Sequence, residues 1–292
     1  MVYTIALFLF YFYFGCTKPT HMHHRYKTIM AIVLIAALYV ACKCAQPLSI
    51  RTSVQTDNTV FHNDSAWLQL PCGYKASDTT RYPLLIFYNG LCEGSSDACS
   101  GFPPGTNLNK MLQLGPPKFM ADSLRFVFSV ASKTYGMIVV CPQSDAGQRS
   151  PSSSNGVINY MISHYKVDTT RIYLTGLSLG AASVMDFLTS NQANANRIAA
   201  AVPMSITNLS HNQITGLQYI ATAGVHVQVY CGNADQYFTN NQHYVDVINQ
   251  TAPGLAVFTP YSGGHGGWNN MYTLSNTYYN PNMYQWMLQY HR

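Results

Sequence analysis

The chain has 292 residues, of which 48% are hydrophobic and 9% charged, a composition that excludes intrinsic disorder for most of its length. Its formal net charge is +5, but the first 45 residues contain four basic residues and no acidic one. From Gln46 onward, the chain has 12 basic and 11 acidic residues. A nearly neutral body lacks the basic surface that binds nucleic acid, so we expect no nucleic-acid partner.

Residues 1–45 are predicted to be a targeting region. Two apolar runs lie here, Val2 to Phe14 and Ile29 to Cys42, and basic residues precede the second. A positive flank before a 14-residue apolar run is typical of a secretory signal peptide, and a membrane-spanning helix needs about 20 residues. A buried core helix is the alternative. The first run has no positive flank ahead of it, and one explanation is a start codon assigned too early.

The predicted export makes the protein secreted or extracytoplasmic. The segment Tyr39–Cys42 resembles a bacterial lipobox, although Tyr39 stands where leucine is usual. A lipid anchor therefore stays open, and a membrane partner is expected only if the chain is lipid-anchored. These patterns leave the oligomeric state undefined.

Five cysteines follow the targeting region, and none has the spacing of a zinc site, so no metal is expected. Cys92 and Cys99 bracket a loop rich in glycine and serine and could form a disulfide in an oxidising compartment. Buried free thiols are the alternative for each cysteine.

Residues 46–292 are predicted to form one catalytic domain with an α/β fold. Two early segments, Leu48–Val54 and Ala66–Leu70, have the pattern of antiparallel edge strands. Further strands are predicted from apolar runs at Leu84–Tyr88, Met137–Cys141, Arg171–Thr175, Ile198–Val202, Val225–Tyr230 and Leu255–Thr259. Helices are predicted at Lys118–Ser132, Val157–His164, Leu179–Asn191, Gln242–Gln250 and Met283–Tyr290. This alternation predicts a mostly parallel central sheet with helices on both faces and its chemistry at the carboxyl ends of the strands.

The segment Gly176–Gly180 matches the pattern G-x-S-x-G between a predicted strand and a predicted helix. A nucleophilic serine at such a sharp turn needs glycines two residues before and after it, because the strand and helix pass close together. The helix N-terminus then directs free N–H groups towards a developing oxyanion. Ser178 is therefore the candidate nucleophile, and an ordinary serine in a glycine turn is the alternative.

A serine nucleophile needs a general base and an acid that orients the base. Asp235 follows the predicted strand Val225–Tyr230, and His265 lies in a glycine-rich loop after the predicted strand Leu255–Thr259. The chain order Ser, Asp, His is the one that this architecture uses. We therefore predict that His265 takes the serine proton and that Asp235 holds the imidazole in the required tautomer.

Other aspartates compete for the acid role less well. Asp145 also follows a strand and is the credible rival, whereas Asp168 precedes its strand and should lie at the opposite end of the sheet. Asp186 and Asp246 fall within predicted helices, where a solvated surface position is the ordinary interpretation.

The second oxyanion donor should come from the loop after an earlier strand. Leu84–Tyr88 is followed by Asn89 and Gly90, so the N–H of Leu91 is predicted to pair with the N–H of Leu179. A glycine turn without a catalytic part is the alternative. Glu93 is the only glutamate in the chain; it could support this loop or contact substrate, and the sequence assigns it no chemistry.

Together, Asn89–Gly94, Gly176–Gly180, Asp235 and Gly264–Trp268 resemble the α/β-hydrolase superfamily. The likeness is strongest to its small serine esterases, the phospholipase/carboxylesterase, dienelactone-hydrolase and feruloyl-esterase-like group, and it extends from about Trp67 to the C-terminus. The resemblance implies the α/β-hydrolase fold. It departs at Asn89, where the family usually has histidine, which leaves the support of the oxyanion hole and the substrate fit open.

The resemblance also implies a catalytic triad of Ser178, Asp235 and His265, backbone oxyanion donors at Leu91 and Leu179, and no cofactor. The expected function is a secreted esterase acting on small-molecule or polymer esters, such as feruloyl or acetyl polysaccharide esters or polyesters. A serine peptidase or acyltransferase of the same fold, or a non-catalytic surface binding protein, is the alternative.

The chain has 22 tyrosines and 3 tryptophans, which suggests an aromatic-walled cleft. Trp268, three residues after His265, is the candidate for contact with an acyl or sugar group, and core packing is its alternative.

Overall fold

The computed structural model describes residues 50–55, 63–77, 79–95, 108–144 and 148–292, with side chains described from residue 65 onward. The predicted targeting region, Cys99 and Asp145 lie outside these ranges. The described strands are β1 Ile50–Gln55, β2 Asn63–Gln69, β3 Tyr82–Tyr88, β4 Val127–Val130, β5 Lys133–Gly136, β6 Ile138–Pro142, β7 Val167–Leu177, β8 Ala200–Met204, β9 His226–Gly232 and β10 Ala256–Tyr261.

The described helices are α1 Gly115–Ala121, α2 Pro151–His164, α3 Leu179–Ser190, α4 Gln192–Ala195, α5 His211–Ala223, α6 Phe238–Thr251, α7 Asn269–Tyr272 and α8 Met283–Met287. A 3₁₀ helix at Leu108–Gln113 precedes α1. Within the described parts of the chain, no helix is both long and apolar enough to cross a membrane.

Eight strands form one sheet in the order β1-β2-β6-β3-β7-β8-β9-β10. The strands β6, β3, β7, β8, β9 and β10 are parallel to one another. At one side of the sheet, β2 pairs antiparallel with β6, and β1 pairs antiparallel with β2. The predicted α/β fold, with its mostly parallel sheet and antiparallel early strands, is confirmed.

The central strands are buried on both faces, so their sequences are almost continuously apolar. In β3, Leu84 and Ile86 belong to one core cluster and Leu85 and Phe87 to the other, because successive side chains point to opposite faces. The first cluster includes side chains of α2, α3, α5 and α6, and the second includes side chains of α1, α7 and α8. Helices therefore cover both faces of the sheet.

One helix prediction is wrong. The segment predicted as a helix over Lys118–Ser132 contains the end of α1, at Ala121, and then the strand β4, which pairs with β5 as an antiparallel hairpin. Phe128 in β4 is buried and stacks on Tyr284 with ring centroids 4.8 Å apart, while its neighbours along the strand are more exposed. Alternate burial of this kind fits a strand with one face on the core. The two residues of the turn between β4 and β5, Ala131 and Ser132, both have positive φ, as tight hairpin turns require.

The cysteines of the described part of the chain fall into two groups. Cys141 and Cys231 are buried free thiols, as the alternative in the sequence analysis held. Cys72 and Cys92 are disulfide-bonded. Because Cys99 is outside the described residues, the pairing of Cys92 with Cys99 stays a prediction.

The central position of β7 leads to a stability prediction. Leu174 is fully buried in this strand, so Leu174→Ala should lower the free energy of unfolding by about 2–5 kcal/mol through lost burial and a residual cavity. Urea unfolding of both proteins measures the difference. Val257→Ala is the control: Val257 is 42% exposed on the edge strand β10, so its truncation should cost far less. Equal losses in the two variants would contradict the assigned core.

Candidate active site

Ser178 lies at the turn between β7 and α3, with φ +52° and ψ −116°, a conformation that a non-glycine residue rarely adopts. Its backbone N–H donates to the carbonyl of Met204 at the end of β8, 2.9 Å away. Its carbonyl oxygen accepts from the N–H of Ala182, which belongs to the first turn of α3. The strained serine is therefore held on one side by the sheet and on the other by the helix.

The glycines on either side of Ser178 allow this turn to form. A Cβ added to Gly180 would lie 2.0 Å from the carbonyl oxygen of Tyr88, and one added to Gly176 would lie 2.5 Å from the carbonyl of Gly180. No real side chain tolerates such distances to backbone atoms. The start of α3 therefore packs directly against β7 and the end of β3, which explains the glycine spacing in the sequence.

The structure brings the three side chains predicted as a triad together. The Nε2 atom of His265 is 2.8 Å from Oγ of Ser178, and its Nδ1 atom is 2.9 Å from Oδ2 of Asp235. An ionised carboxylate only accepts hydrogen bonds, so Nδ1 carries the proton and Nε2 is left to accept from the serine hydroxyl. This arrangement can activate a serine nucleophile.

The carboxylate of Asp235 is fully buried, whereas the His265 side chain is 29% exposed. Burial by itself would raise the pKa of Asp235. The N–H of Tyr237, 3.0 Å from Oδ1, and the hydrogen bonds of His265 and Ser205 together hold this pKa below its ordinary value. The acid is consequently ionised at neutral pH, which fits it to stabilise a positively charged imidazole.

The loops that carry the acid and the base are joined to each other along the backbone. The N–H of Asn233 donates to the carbonyl of Tyr261, and the N–H of Ala234 donates to the carbonyl of Gly263. Gly232 approaches the second loop so closely that an added Cβ would lie 2.4 Å from the carbonyl oxygen of Gly263. These contacts set the separation of the two loops, and hence of Asp235 and His265.

Two aromatic rings enclose His265. Tyr237 and Trp268 meet it edge-on, with ring centroids 5.3 and 5.1 Å from that of the imidazole. Trp268 is only 8% exposed, and its Nε1 donates to Oγ of Ser205. The buried position favours the core-packing alternative for Trp268, and its contact with substrate stays a prediction.

The predicted oxyanion donors lie on the two segments expected of them. Leu179 is the first residue of α3, and Leu91, which is 59% exposed, lies in the loop after β3. Within the described residues, neither backbone N–H donates to another group. Their action as a pair on one substrate oxygen stays a prediction.

The other aspartates lie elsewhere. Asp168 is near the start of β7, at the opposite end of the strand from Ser178, and accepts from Thr170. Asp186 lies on α3, where it accepts from Gln213, and Asp246 lies on α6. Among the described residues, no cluster of His, Cys, Asp and Glu side chains is arranged to hold a metal ion.

Sequence analysis missed Ser205 and Tyr237. Ser205 directly follows β8, is fully buried, and has φ +52°. Its place after a strand was visible in the sequence, but a lone serine there gives no chemical signal. Tyr237 lies two residues after Asp235, and its role as a backbone donor is independent of residue type.

No protein-family model matches the chain, and no curated protein matches it. Among solved structures, it is similar to a thermostable esterase (TM-score 0.59, 16% identity, 84% of this chain and 64% of that one). It is also similar to a ferulic acid esterase (TM-score 0.54, 14% identity, 82% of this chain and 98% of that one). A third similar structure is dipeptidyl peptidase 4 from Porphyromonas gingivalis (TM-score 0.54, 12% identity, 83% of this chain and 35% of that one).

These similarities and the sheet order define an α/β-hydrolase fold. The sequence-based resemblance to this superfamily is confirmed at the level of the fold, and esterases are among the structures most similar to the chain. The chain spans 64% of the length of the thermostable esterase. A dipeptidyl peptidase shares the fold, so the fold by itself does not select the substrate.

The lowered pKa of Asp235 predicts a pH-dependent contribution to stability. A carboxyl group whose pKa is lower in the folded than in the unfolded protein stabilises the fold above its unfolded value, about 3.9, and the contribution disappears as the pH falls through the folded pKa. The stability difference between the wild type and Asp235→Asn should therefore shrink as the pH falls from 5 to 2.5. Urea unfolding across this range measures it.

The matched control is Asp246→Asn, which removes an exposed carboxylate from α6. As an exposed surface substitution, it should change the free energy of unfolding at neutral pH by less than about 0.5 kcal/mol. A constant difference between wild type and Asp235→Asn over the whole range would contradict the lowered pKa.

Proposed function

We propose that this protein is a serine esterase that hydrolyses carboxylic esters through a covalent acyl-enzyme. The observation that supports it most strongly is the single imidazole of His265, within 2.8 Å of the Ser178 hydroxyl and 2.9 Å of the buried Asp235 carboxylate. A buried carboxylate, an oriented imidazole and a serine on a strained turn are the parts that acyl transfer requires.

In the first half-reaction, Oγ of Ser178 attacks the ester carbonyl while Nε2 of His265 accepts the hydroxyl proton. The N–H groups of Leu91 and Leu179 donate to the oxyanion that forms. Asp235 stabilises the resulting imidazolium through Nδ1. When the tetrahedral intermediate collapses, His265 returns the proton to the departing alcohol, and the acyl group stays on Ser178.

In the second half-reaction, water takes the position of the alcohol. His265 removes a proton from this water as it attacks the acyl carbon, and the same two N–H groups stabilise the second oxyanion. Collapse breaks the bond to Ser178, which recovers its proton from His265. The acid is released and the enzyme returns to its initial state without any cofactor.

For the substrate class, we propose esters accessible outside the cytoplasm, with feruloyl or acetyl esters of polysaccharide as the first to test and polyesters as the second. Two considerations support this choice: the signal-peptide pattern of residues 1–45, and the fold shared with a ferulic acid esterase. Peptide hydrolysis and acyl transfer use the same triad and are therefore separate outcomes of the assay.

The first measurement is the hydrolysis of p-nitrophenyl acetate, butyrate and octanoate, together with methyl ferulate. Ser178→Ala should lower kcat by at least about 10³-fold, because the residual rate comes from binding and the oxyanion hole alone. A serine-directed fluorophosphonate should label the wild type at Ser178 and leave Ser178→Ala unlabelled. Added alcohols and aminoacyl p-nitroanilides report transferase and peptidase activity.

The control is Ser190→Ala, which removes an exposed hydroxyl from the far end of the same helix and should retain wild-type kcat. Full activity in Ser178→Ala would show that another nucleophile acts. A folded wild type that neither hydrolyses these substrates nor reacts with the fluorophosphonate would overturn the proposed enzymatic function and favour a role as a binding protein.

A further inference from the structure

The loop after β3 contains a buried carboxylate that the proposed reaction does not use. Glu93, the only glutamate of the chain, is fully buried, three residues after Gly90. We propose that Glu93 is a positioning residue that sets the direction of the oxyanion donor, the N–H of Leu91. This inference rests on the proposed esterase function.

The carboxylate of Glu93 holds the peptide unit that precedes Gly90. The N–H of Gly90 donates to Oε2 of Glu93 over 2.9 Å, and both groups are buried. On the opposite side of this planar unit, the carbonyl oxygen of Asn89 faces the start of α3. A Cβ added to Gly180 would lie 2.7 Å from this oxygen. The unit is therefore held between Glu93 and the helix that begins after the nucleophile.

The next peptide unit contains the oxyanion donor itself. Its carbonyl oxygen, that of Gly90, accepts from Nδ2 of Asn89 over 3.0 Å and from the backbone N–H of Glu93 over 3.4 Å. In a planar trans peptide the N–H points opposite to the C=O. Directing the carbonyl towards Asn89 and Glu93 therefore directs the N–H of Leu91 away from them.

A steric contact restricts Gly90 from a second direction. A Cβ added to Gly90 would lie 2.5 Å from Cδ1 of Leu177, the residue before the nucleophile, and 3.6 Å from Oε2 of Glu93. Gly90 is thus enclosed between the turn that carries Ser178 and the buried carboxylate. Loss of the carboxylate would release the donor segment on one side only.

Further bonds fix the carboxylate's own segment. The backbone carbonyl of Glu93 accepts from Nε2 of Gln143, and Nζ of the buried Lys110 donates to the carbonyls of Gly94 and Ser95. These contacts hold the backbone of Glu93 and of the two residues after it.

Asn89 adds a second connection to the loop after β6, the loop that also contains Gln143. Its Oδ1 accepts from the N–H and the hydroxyl of Ser144, in the loop after β6. The residue that stands where the resembled family usually has histidine thus ties the oxyanion loop to the adjacent strand end.

The test compares Glu93→Leu, which removes the acceptor at similar size, with Glu93→Gln, which keeps a neutral oxygen for the Gly90 N–H. Loss of one oxyanion donor costs about 10²–10³-fold in kcat, so Glu93→Leu should lose about 10²-fold with KM changed less than about threefold. Glu93→Gln should retain more activity, within about tenfold of wild type. The control is Asp186→Asn, which neutralises a half-buried carboxylate on α3 and should keep kcat within about twofold.

A transition-state analogue separates positioning from a merely structural role. A trifluoromethyl ketone forms a tetrahedral oxyanion on the serine, so its inhibition constant should rise in Glu93→Leu by the same factor as kcat/KM falls. Hydrogen–deuterium exchange of the peptide over residues 89–95 should be faster in Glu93→Gln than in the wild type, a readout that needs no activity.

The inference is overturned if folded Glu93→Leu retains wild-type kcat and analogue affinity while Ser178→Ala is inactive, and the proposed function then stands. If Glu93→Leu does not fold, the hydrogen–deuterium exchange of residues 89–95 in Glu93→Gln decides. A wild type without esterase activity overturns the proposed function instead. Exchange of residues 89–95 that is unchanged in Glu93→Gln would then show that the carboxylate does not hold the loop.

Discussion

The close approach of α3 to the end of β3 is the contact on which the rest of the site depends. It brings the carbonyl oxygens of Tyr88 and Asn89 to within 2.0 and 2.7 Å of where a Cβ on Gly180 would lie. One consequence is the strained backbone of Ser178, which follows the carboxyl end of β7. The other is that the N-terminus of α3 and the start of the loop after β3 become neighbours.

The positions of the other two side chains of the site, Asp235 and His265, depend on the parallel pairing of β9 with β10. Because of this pairing, both strands end on the same side of the sheet. Backbone hydrogen bonds then join the following loops and bring Asp235 to His265. Because Asp235 is buried, its attraction for a protonated imidazole is weakened little by water. The other ring nitrogen of His265 meets Oγ of Ser178, so one imidazole connects the buried carboxylate to the serine hydroxyl.

Sequence reasoning was most successful where a residue type has one physical role. Glycines at positions 176 and 180 predicted a tight strand–helix turn, and apolar runs predicted the parallel strands and hence which loops share an edge. It was wrong for Lys118–Ser132, because the alternate burial of β4 depends on Phe128 meeting Tyr284, more than 150 residues away in the chain. It likewise could not separate a substrate contact from a packing position at Trp268, since the partner of the indole, Ser205, lies 63 residues away.

The sequence by itself determined the six parallel strands and several of the helices between them, the G-x-S-x-G turn, and the strand ends at which an acid and a base could meet. These are local properties, set by hydrophobic periodicity, glycine and chain order. Only the tertiary structure decided that His265 reaches both Ser178 and Asp235, that Ser205 and Tyr237 surround the acid, and that Glu93 faces Gly90. The reason is that hydrogen bonds and burial depend on distances across the sheet, which strand register and loop packing create and no local pattern encodes.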